Sequence, residues 1–314
     1  MPLDRRHTQA FLLLGLVMVL WAGNSIVARA VRHDIAPFTL AFLRWAGATL
    51  AVAPFAVRPL IRDWPAIRRG WRPLLFLGLM GIGAFNGLLY SGLQYTTATN
   101  ALLLQAAIPA AMVLCDRLFF GVRSNAWQIV GVSASMLGVA AIVFEGDPAA
   151  ALRLHFGFGD ALILVSVVVW ALYTVVLRVR PAISPTSFIA VTFSIGVAMM
   201  APLAAMELHA GRTIAWSGPV VAAILYVALL PSLFSYFIYN HATAVVGPAN
   251  AGQAITLMPL FGAFIAAALL GERLHAFHFV GMGFILAGIA LSLFSLRAQQ
   301  PAGAAKKRGL EGRA

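Results

Sequence analysis

Ten long apolar runs occupy most of this 314-residue chain, and they constrain its fold more than any other feature. Each run has about 20 residues, the length that an α-helix needs to cross the hydrocarbon core of a bilayer. Apolar residues make up 61% of the chain and charged residues only 10%, too few to cover a water-soluble body of this size. The runs are too long for membrane-barrel strands and do not alternate as such strands do. The sequence therefore predicts an all-α membrane protein with ten transmembrane helices.

The predicted spans are separated by mostly short loops, which leave no room for a separate soluble domain. They lie at residues 9–31, 37–57, 74–95, 98–119, 125–144, 157–178, 186–208, 217–240, 246–270 and 277–296. Basic residues before the first run and an Ala28-Arg29-Ala30 triplet after it mimic a cleavable signal peptide. We expect this helix to be retained, because a close copy of it recurs deep in the chain.

The second half of the sequence repeats the first. The segment WAGNSIVAR, which begins at Trp21, returns as WALYTVVLR from Trp170. Further matches, offset by 148 to 150 positions, continue through the fifth run; among them are Pro37 with Pro185, Asn100 with Asn250, Pro109 with Pro259 and Gly138 with Gly288. Residues 9–144, with helices 1–5, thus recur as residues 157–296, with helices 6–10, and residues 297–314 form a basic tail. Because five crossings are an odd number, the second copy must be inverted relative to the first.

Lysine and arginine are unevenly distributed, and cytoplasmic loops usually carry their excess. If the N-terminus is cytoplasmic, 16 of the 22 basic residues lie on the cytoplasmic side, five lie outside and Arg44 falls within a span. We therefore expect both termini in the cytoplasm and the helices in a bacterial inner membrane. The net charge of +12 then reflects topology and attraction to anionic membrane lipid. Nucleic acid is not an expected partner, because the arginines are scattered and no recognition motif accompanies them.

These features together resemble one known family of transporters. Ten helices in two inverted halves, the W-A-(x)6-R segment of helices 1 and 6, and the N-A-(x)7-P segment of helices 4 and 9 are similar to the drug/metabolite transporter superfamily, in particular its EamA-type branch. Leu270-Gly271-Glu272-Arg273-Leu274 fits the family's ending of helix 9, whereas Gly121-Val122-Arg123 in the first half departs from it. Within the branch the chain resembles bacterial exporters of aromatic amino acids of the YddG kind. The resemblance implies a central cavity between the two halves and alternating access.

Polar residues within the spans mark the helix sides that surround a solute path, since polar groups facing lipid are costly. Asn86, Tyr90 and Gln94 form one stripe on helix 3, four residues apart. The other candidates for the cavity lie on helices 1, 2, 4, 6, 8 and 9: Trp21, Asn24, Ser25, Arg44, Asn100, Gln105, Ser166, Trp170, Tyr173, Thr174, Ser235, Tyr236, Tyr239, Asn250 and Gln253. Pro109, Pro231 and Pro259 are the predicted hinges. Helices 5 and 10 carry few polar residues, and we expect them to lie outside the path.

Each of these residues has an alternative role. Asn, Ser and Gln often join neighbouring membrane helices, and Trp and Tyr often lie at the membrane interface. We favour the cavity for Trp21 and Trp170, because they are related by the repeat and lie near mid-span. An interfacial or packing role fits Trp45 and Tyr95 better.

Charged residues within the spans are few. The Arg44 guanidinium can bind an anionic group such as a carboxylate, or it can snorkel outward or cap carbonyls inside the bundle. Its repeat counterpart, Thr192, does not decide between these roles. Asp160 fits an N-terminal cap of helix 6 better than proton coupling. No acidic residue lies mid-membrane, which disfavours a lipophilic cation as the solute.

The function expected from these residues is secondary transport of a small organic solute. An aromatic cavity with hydroxyl and amide groups and at most one cation suits amino acids, aromatic ones included, whereas phosphorylated sugars would favour several buried cations. The outward direction is implied by the family resemblance. Three alternatives stay open: an exporter of drugs or other metabolites, a channel, and an intramembrane enzyme. The enzyme is the weakest, because all seven histidines lie in loops or near span ends.

Cofactors and metals are not expected. Glu272, His275 and His278 fit an interfacial cluster better than a metal site. The expected partners are the small-molecule substrate and membrane lipid. The sequence leaves the oligomeric state open, and a monomer is compatible with it.

Overall fold

A computed structural model describes residues 5–31, 33–92, 95–96, 101, 104–122, 124–147, 149–150, 156–270 and 274–292, and its regular structure in these ranges is helical throughout. We number the helices α1 Arg5–Ala30, α2 Pro37–Arg69, α3 Trp71–Gly92, α4 Ile108–Phe120, α5 Ala126–Val143, α6 Phe158–Val176, α7 Pro185–His209, α8 Gly218–Val246, α9 248–270 and α10 Ala276–Ser292. Seven of these described helices, α1–α3 and α5–α8, are long and apolar enough to cross a membrane. The predictions of an all-helical chain and of a multi-pass membrane protein are confirmed. The predicted tail 297–314 lies outside the described residues.

Helix boundaries differ from the prediction most in two places. Helix α2 continues to Arg69, well past the predicted end at residue 57. The arginine-rich segment after the apolar run is therefore part of the same helix. The predicted span 98–119 is interrupted by a turn at residues 106–107, and α4 begins only at Ile108. Pro109 lies in the first turn of α4, where its missing N–H costs no hydrogen bond.

Helices α3 and α8 each contain a π-turn, and the two turns occupy equivalent positions in the two halves of the sequence. The turn in α3 covers Gly78–Ala84 and the turn in α8 covers Leu229–Phe234. In α8 the cause is Pro231, which has no N–H and whose ring displaces the carbonyl four residues earlier from the helical ladder. That carbonyl, of Val227, accepts a hydrogen bond from Ser232 Oγ at 2.6 Å. A π-turn thus exposes backbone carbonyls that side chains can reach.

Helices α2 and α7 pack along their length and run in opposite directions. At the start of α2, the Glu207 carboxylate from the end of α7 accepts hydrogen bonds from Phe38 N at 3.1 Å and Thr39 N at 2.7 Å. At the other end, Asp63 Oδ2 of α2 accepts from Ser184 N at 2.8 Å, directly before α7 begins. Each helix therefore supplies the carboxylate that binds the backbone N–H groups at the start of the other.

Helices α5 and α10 also cross in an antiparallel sense, through small residues. A Cβ added to Gly131 would lie 2.6 Å from the Gly288 carbonyl oxygen, and one added to Gly138 would lie 2.5 Å from the Gly281 carbonyl oxygen. Any larger residue at these glycines would push the helices apart, so the glycines set how closely they approach. Residues later in α5 contact residues earlier in α10, so the two helices are antiparallel.

The remaining helices form one core between the two halves of the chain. Helix α1 packs against α8 and α9, and α6 packs against α3 and α4. These two sets of contacts are equivalent under the repeat, because α1 corresponds to α6, α3 to α8 and α4 to α9. The candidate site lies where these helices meet α2 and α7.

Candidate functional site

Eight aromatic side chains from six helices meet at the centre of this core. They are Trp21, Trp45, Phe85, Trp170, Tyr173, Phe193, Tyr236 and Tyr239, and we call them the aromatic cluster. The ring centroids of Trp21 and Trp170 are 5.4 Å apart, and those of Trp21 and Tyr239 are 5.2 Å apart. Such spacing and tilt are the preferred geometry of packed aromatic rings. The rings fill the space between α1, α6 and α8.

Two residues of the aromatic cluster hydrogen-bond to the π-turns across the boundary between the halves. Trp21 Nε1, in the first half, donates to the Pro231 carbonyl at 2.9 Å. Tyr236 OH, in the second half, donates to the Gly81 carbonyl at 3.0 Å. Gly81 and Pro231 are equivalent positions, 150 residues apart. The π-turns therefore receive matching bonds from opposite halves, each from an aromatic side chain.

Arg44 lies beside the aromatic cluster, inside the bundle. Its side chain is buried, with only 5% of the residue surface exposed, which rules out snorkelling to the membrane surface. Arg44 Nε donates to Ser232 Oγ, and the guanidinium carbon lies 4.6 Å from the centroid of the Trp45 ring. No carboxylate of the described residues lies within ion-pairing distance of this guanidinium. The charge is thus held by a hydroxyl group and an aromatic face.

Several polar side chains adjoin the aromatic cluster on α6 and α8. Tyr173 OH donates to Asn240 Oδ1 at 2.8 Å, and Thr174 Oγ1 lies 3.2 Å from Tyr239 OH. Asn240 Nδ2 and Thr243 Oγ1 are buried and make no hydrogen bond within the described part of the chain. These two side chains therefore have hydrogen-bonding capacity that a ligand beside the aromatic cluster can use.

Several predicted cavity residues instead donate to a backbone carbonyl three to five residues earlier in the chain. They are Asn86 to Ile82, Gln105 to Ala101, Ser166 to Ile163, Ser235 to Leu230 and Asn250 to Val246. Gln253 Nε2 donates to Ser135 Oγ of α5 at 3.1 Å, which directs this amide away from the aromatic cluster. Asn24 and Tyr90 are half-buried. The Ser25 side chain, Gln94 and Asn100 lie outside the described residues.

The predicted hinge prolines lie at interruptions of regular helix. Pro231 is in the π-turn of α8. Pro109 and Pro259 are each the second residue of an α-helical stretch that follows an irregular turn. A void of about 20 Å³ adjoins Pro259, with Gln105 and Thr256 in its wall.

Carboxylates bind groups at the ends of the bundle. Asp160 Oδ2 accepts from Gly157 N at 2.8 Å at the start of α6, which is the capping role predicted for it, and Oδ1 accepts from Thr96. Asp116 of α4 forms an ion pair with Arg178, which also lies over the Phe120 ring at 4.4 Å from its centroid. The arginine of the W-A-(x)6-R segment in α6 therefore ties the ends of α4 and α6 together.

The predicted cavity residues do not include several members of this site. Trp45, assigned to the interface or to packing, is a fully buried packing residue whose indole N–H has no partner among the described residues. Phe85 and Phe193 are apolar, so a pattern of polar residues on one helix side does not include them. Asn240 has a usable signal: with Tyr236 and Thr243 it forms an i, i+4, i+7 stripe on α8.

Comparisons with known proteins agree with this architecture. The sequence matches the EamA-like transporter family over residues 8–144 and again over residues 157–294. An uncharacterized transporter of Archaeoglobus fulgidus is 30% identical over 300 residues, covering 91% of this chain and 98% of that protein. A Streptantibioticus cattleyicolor protein described as a probable terminal-alkyne amino-acid exporter is 27% identical, covering 88% of this chain and 91% of its own. A solved crystal structure with 16% identity covers 93% of this chain and 99% of its own with a TM-score of 0.74, which shows a shared fold.

Proposed function

Because the chain belongs to the EamA-like transporter family, we propose that it exports amino acids, aromatic ones included, by alternating access across a bacterial inner membrane. The observation that carries this proposal is the position of Arg44 beside the aromatic cluster. A buried guanidinium without a counter-ion is costly, and a carboxylate that binds it gains a strong charge-assisted hydrogen bond. Aromatic rings next to it offer a surface for an apolar side chain.

The amino group of the substrate also needs partners. The Asn240 amide and the hydroxyl groups of Tyr173, Tyr239 and Thr243 lie on the α6 and α8 side of the aromatic cluster and can supply hydrogen bonds there. Arg44 then binds the carboxylate of the zwitterion, and these polar side chains bind its amino group. A phosphorylated sugar needs more cationic contacts than the guanidinium of Arg44 supplies. The Streptantibioticus cattleyicolor protein described above as a probable terminal-alkyne amino-acid exporter supports the same substrate class.

Alternating access requires two halves that can move relative to each other around the site. The repeat-related helices α2 and α7 run antiparallel, as do α5 and α10, which supports two inverted five-helix repeats. In the conformation described here the aromatic cluster fills the centre. Substrate entry then requires the rings to separate, with the turns at Pro109, Pro231 and Pro259 as hinges. The excess of basic residues on one side supports cytoplasmic termini.

The test is transport by purified protein in liposomes, measured with labelled phenylalanine. We expect Arg44→Gln to raise the KM for phenylalanine about tenfold to a hundredfold, which corresponds to the roughly 1.5–3 kcal/mol of a hydrogen bond to a charged group. Arg44→Lys keeps the charge and should lose less. Phenylalaninamide, which lacks the carboxylate, should be carried poorly by the unaltered protein and should not respond to Arg44→Gln.

Two controls separate the alternatives. Unlabelled substrate inside the liposomes should accelerate uptake by a carrier, whereas an open channel shows no such counterflow. A lipophilic cation or a sugar phosphate carried in place of amino acids would overturn the substrate class. An unchanged KM for phenylalanine in Arg44→Gln would overturn the role of the guanidinium.

A further inference from the structure

The end of α2 and the start of α3 carry a strongly basic surface that transport of an amino acid does not use. Its exposed residues include five arginines and two tryptophans, which we call the arginine–tryptophan surface: Arg58, Arg62, Trp64, Arg68, Arg69, Trp71 and Arg72. The only acidic residue between positions 37 and 115 is Asp63, and its carboxylate is bound to Arg62 and Ser184 N. The surface therefore keeps a large positive charge.

The length of α2 places this surface at the membrane boundary. The 33 residues of α2 extend about 50 Å at 1.5 Å per residue, whereas the hydrocarbon core is about 30 Å thick. Arg58 lies roughly 32 Å along the helix from Pro37, so it and the arginines after it come at or beyond the headgroup level. Trp64 and Trp71 are 59% and 52% exposed, and tryptophan prefers that same level.

A groove lies beside this surface, where α2 meets α3 and the end of α6. It has a volume of about 400 Å³ and is lined by Ala66, Arg69, Gly70, Pro73, Val179 and Pro181. A Cβ on Gly70 would lie 2.3 Å from Pro181 Cγ, so only glycine lets the chain pass this close and form the floor. The floor is apolar and Arg69 stands at the rim. This combination fits a phosphate group with the glycerol and upper acyl carbons attached to it.

We propose that the arginine–tryptophan surface and its groove bind the headgroup of an anionic phospholipid. The arginines contact the phosphate and the headgroup charge, while the tryptophans and the groove floor contact the glycerol region. In the topology proposed above this face is the cytoplasmic one, whose leaflet is anionic. The lipid site does not depend on which solute is carried.

The test is lipid binding to the full-length protein in a non-ionic detergent, with bound lipids counted by native mass spectrometry. We expect phosphatidylglycerol to bind on the order of tenfold more tightly than phosphatidylcholine of the same chain length. Arg68→Gln/Arg69→Gln should remove most of this preference. The matched control is Arg5→Gln/Arg6→Gln at the exposed start of α1, which removes the same charge and should keep the preference.

Three results would overturn the proposal. Equal binding of the two lipids would show that headgroup charge is not recognised. An equal loss in both double variants would show a general charge effect rather than a site. Displacement of phosphatidylglycerol by inorganic phosphate would show a site for free anions. The assay does not measure transport. The lipid proposal can therefore fail while the proposed function holds, and transport can fail while the lipid preference holds.

Discussion

Trp21 and Trp170 occupy equivalent positions in the two halves of the chain, but their indole N–H groups have different surroundings. Trp21 Nε1 donates to the Pro231 carbonyl, whereas Trp170 Nε1 is buried and makes no hydrogen bond within the described residues. The two rings are in contact with each other and with Tyr239. A bonded N–H stabilises the protein without a ligand, whereas an unbonded N–H is free to donate to a ligand.

Replacing each tryptophan by phenylalanine should therefore have different effects. Trp21→Phe leaves the Pro231 carbonyl without its donor, and we expect the free energy of unfolding to fall by about 1–2 kcal/mol. Both variants also lose ring contacts, but Trp170→Phe removes no hydrogen bond to a carbonyl, so it should lose less stability than Trp21→Phe while its KM for phenylalanine rises severalfold. Melting in detergent measures the first effect and liposome uptake the second. Equal losses of stability in the two variants would contradict the assignment.

Residue types that are rare in membrane helices could be identified from the sequence, and their partners could not. Trp21, Trp170, Tyr236 and Tyr239 were all predicted for the cavity, and the structure brings their rings together. Gln253 was predicted for the same place but bonds Ser135, because a polar residue on a helix can face either of two neighbours. Spacing along one helix gives the side a residue is on, and only packing decides which helix lies opposite.

At the scale of helices, the long pair α2 and α7 is held at both ends by carboxylates. The two ends differ in what else is available. Helix α7 has its own cap, since Ser184 Oγ accepts from Ser187 N at 3.2 Å. Helix α2 follows Ala36, which has no side chain that can cap, and it depends on Glu207 for bonds to Phe38 N and Thr39 N.

Glu207→Ala should therefore destabilise the protein more than Asp63→Ala. We expect about 1–2 kcal/mol for Glu207→Ala, the usual value of a lost N-terminal cap, and less than half of that for Asp63→Ala. Glu207→Gln keeps one of the two acceptor oxygens that bind Phe38 N and Thr39 N, so it should recover only part of the loss. Melting temperatures of the three variants in one detergent give the comparison. A larger loss in Asp63→Ala would show that the bond to Ser184 N, rather than the cap of α2, holds the pair.

The helical character of the chain follows from the apolar runs, while the irregularities within helices do not. Pro231 indicated a break in α8, and the structure has a π-turn there. Its counterpart in α3 contains no proline, and its glycines gave no sign of a π-turn in the sequence. A Cβ on Gly81 would lie 2.3 Å from the Tyr173 ring, and the Gly81 carbonyl binds Tyr236, so contacts with other helices accompany this turn. Such contacts belong to the tertiary structure and leave no local pattern.

At the scale of the molecule, the two halves correspond closely at the centre and differ at their ends. Arg178 binds Asp116, but the position that corresponds to Asp116 in the second half is Ala266, so Arg29 has no equivalent carboxylate on α9. The end of the bundle where Asp116 binds Arg178 therefore has an ion pair whose aspartate has no counterpart at position 266. In the proposed mechanism this pair must break whenever the site opens toward that end.

Cys115 provides a way to observe this opening, since it is the only cysteine in the chain, is buried and lies next to Asp116. Removing the ion pair should favour the state open at this end, and we expect Asp116→Asn to speed labelling of Cys115 by a thiol reagent severalfold. Arg178→Gln breaks the same pair but leaves the charge beside Cys115 unchanged, so it separates opening from altered thiol reactivity. Faster labelling in both variants supports an ion pair that closes the bundle. If labelling is faster in Asp116→Asn alone, the cause is a changed reactivity of the Cys115 thiol. The ion pair would then play no part in closing this end.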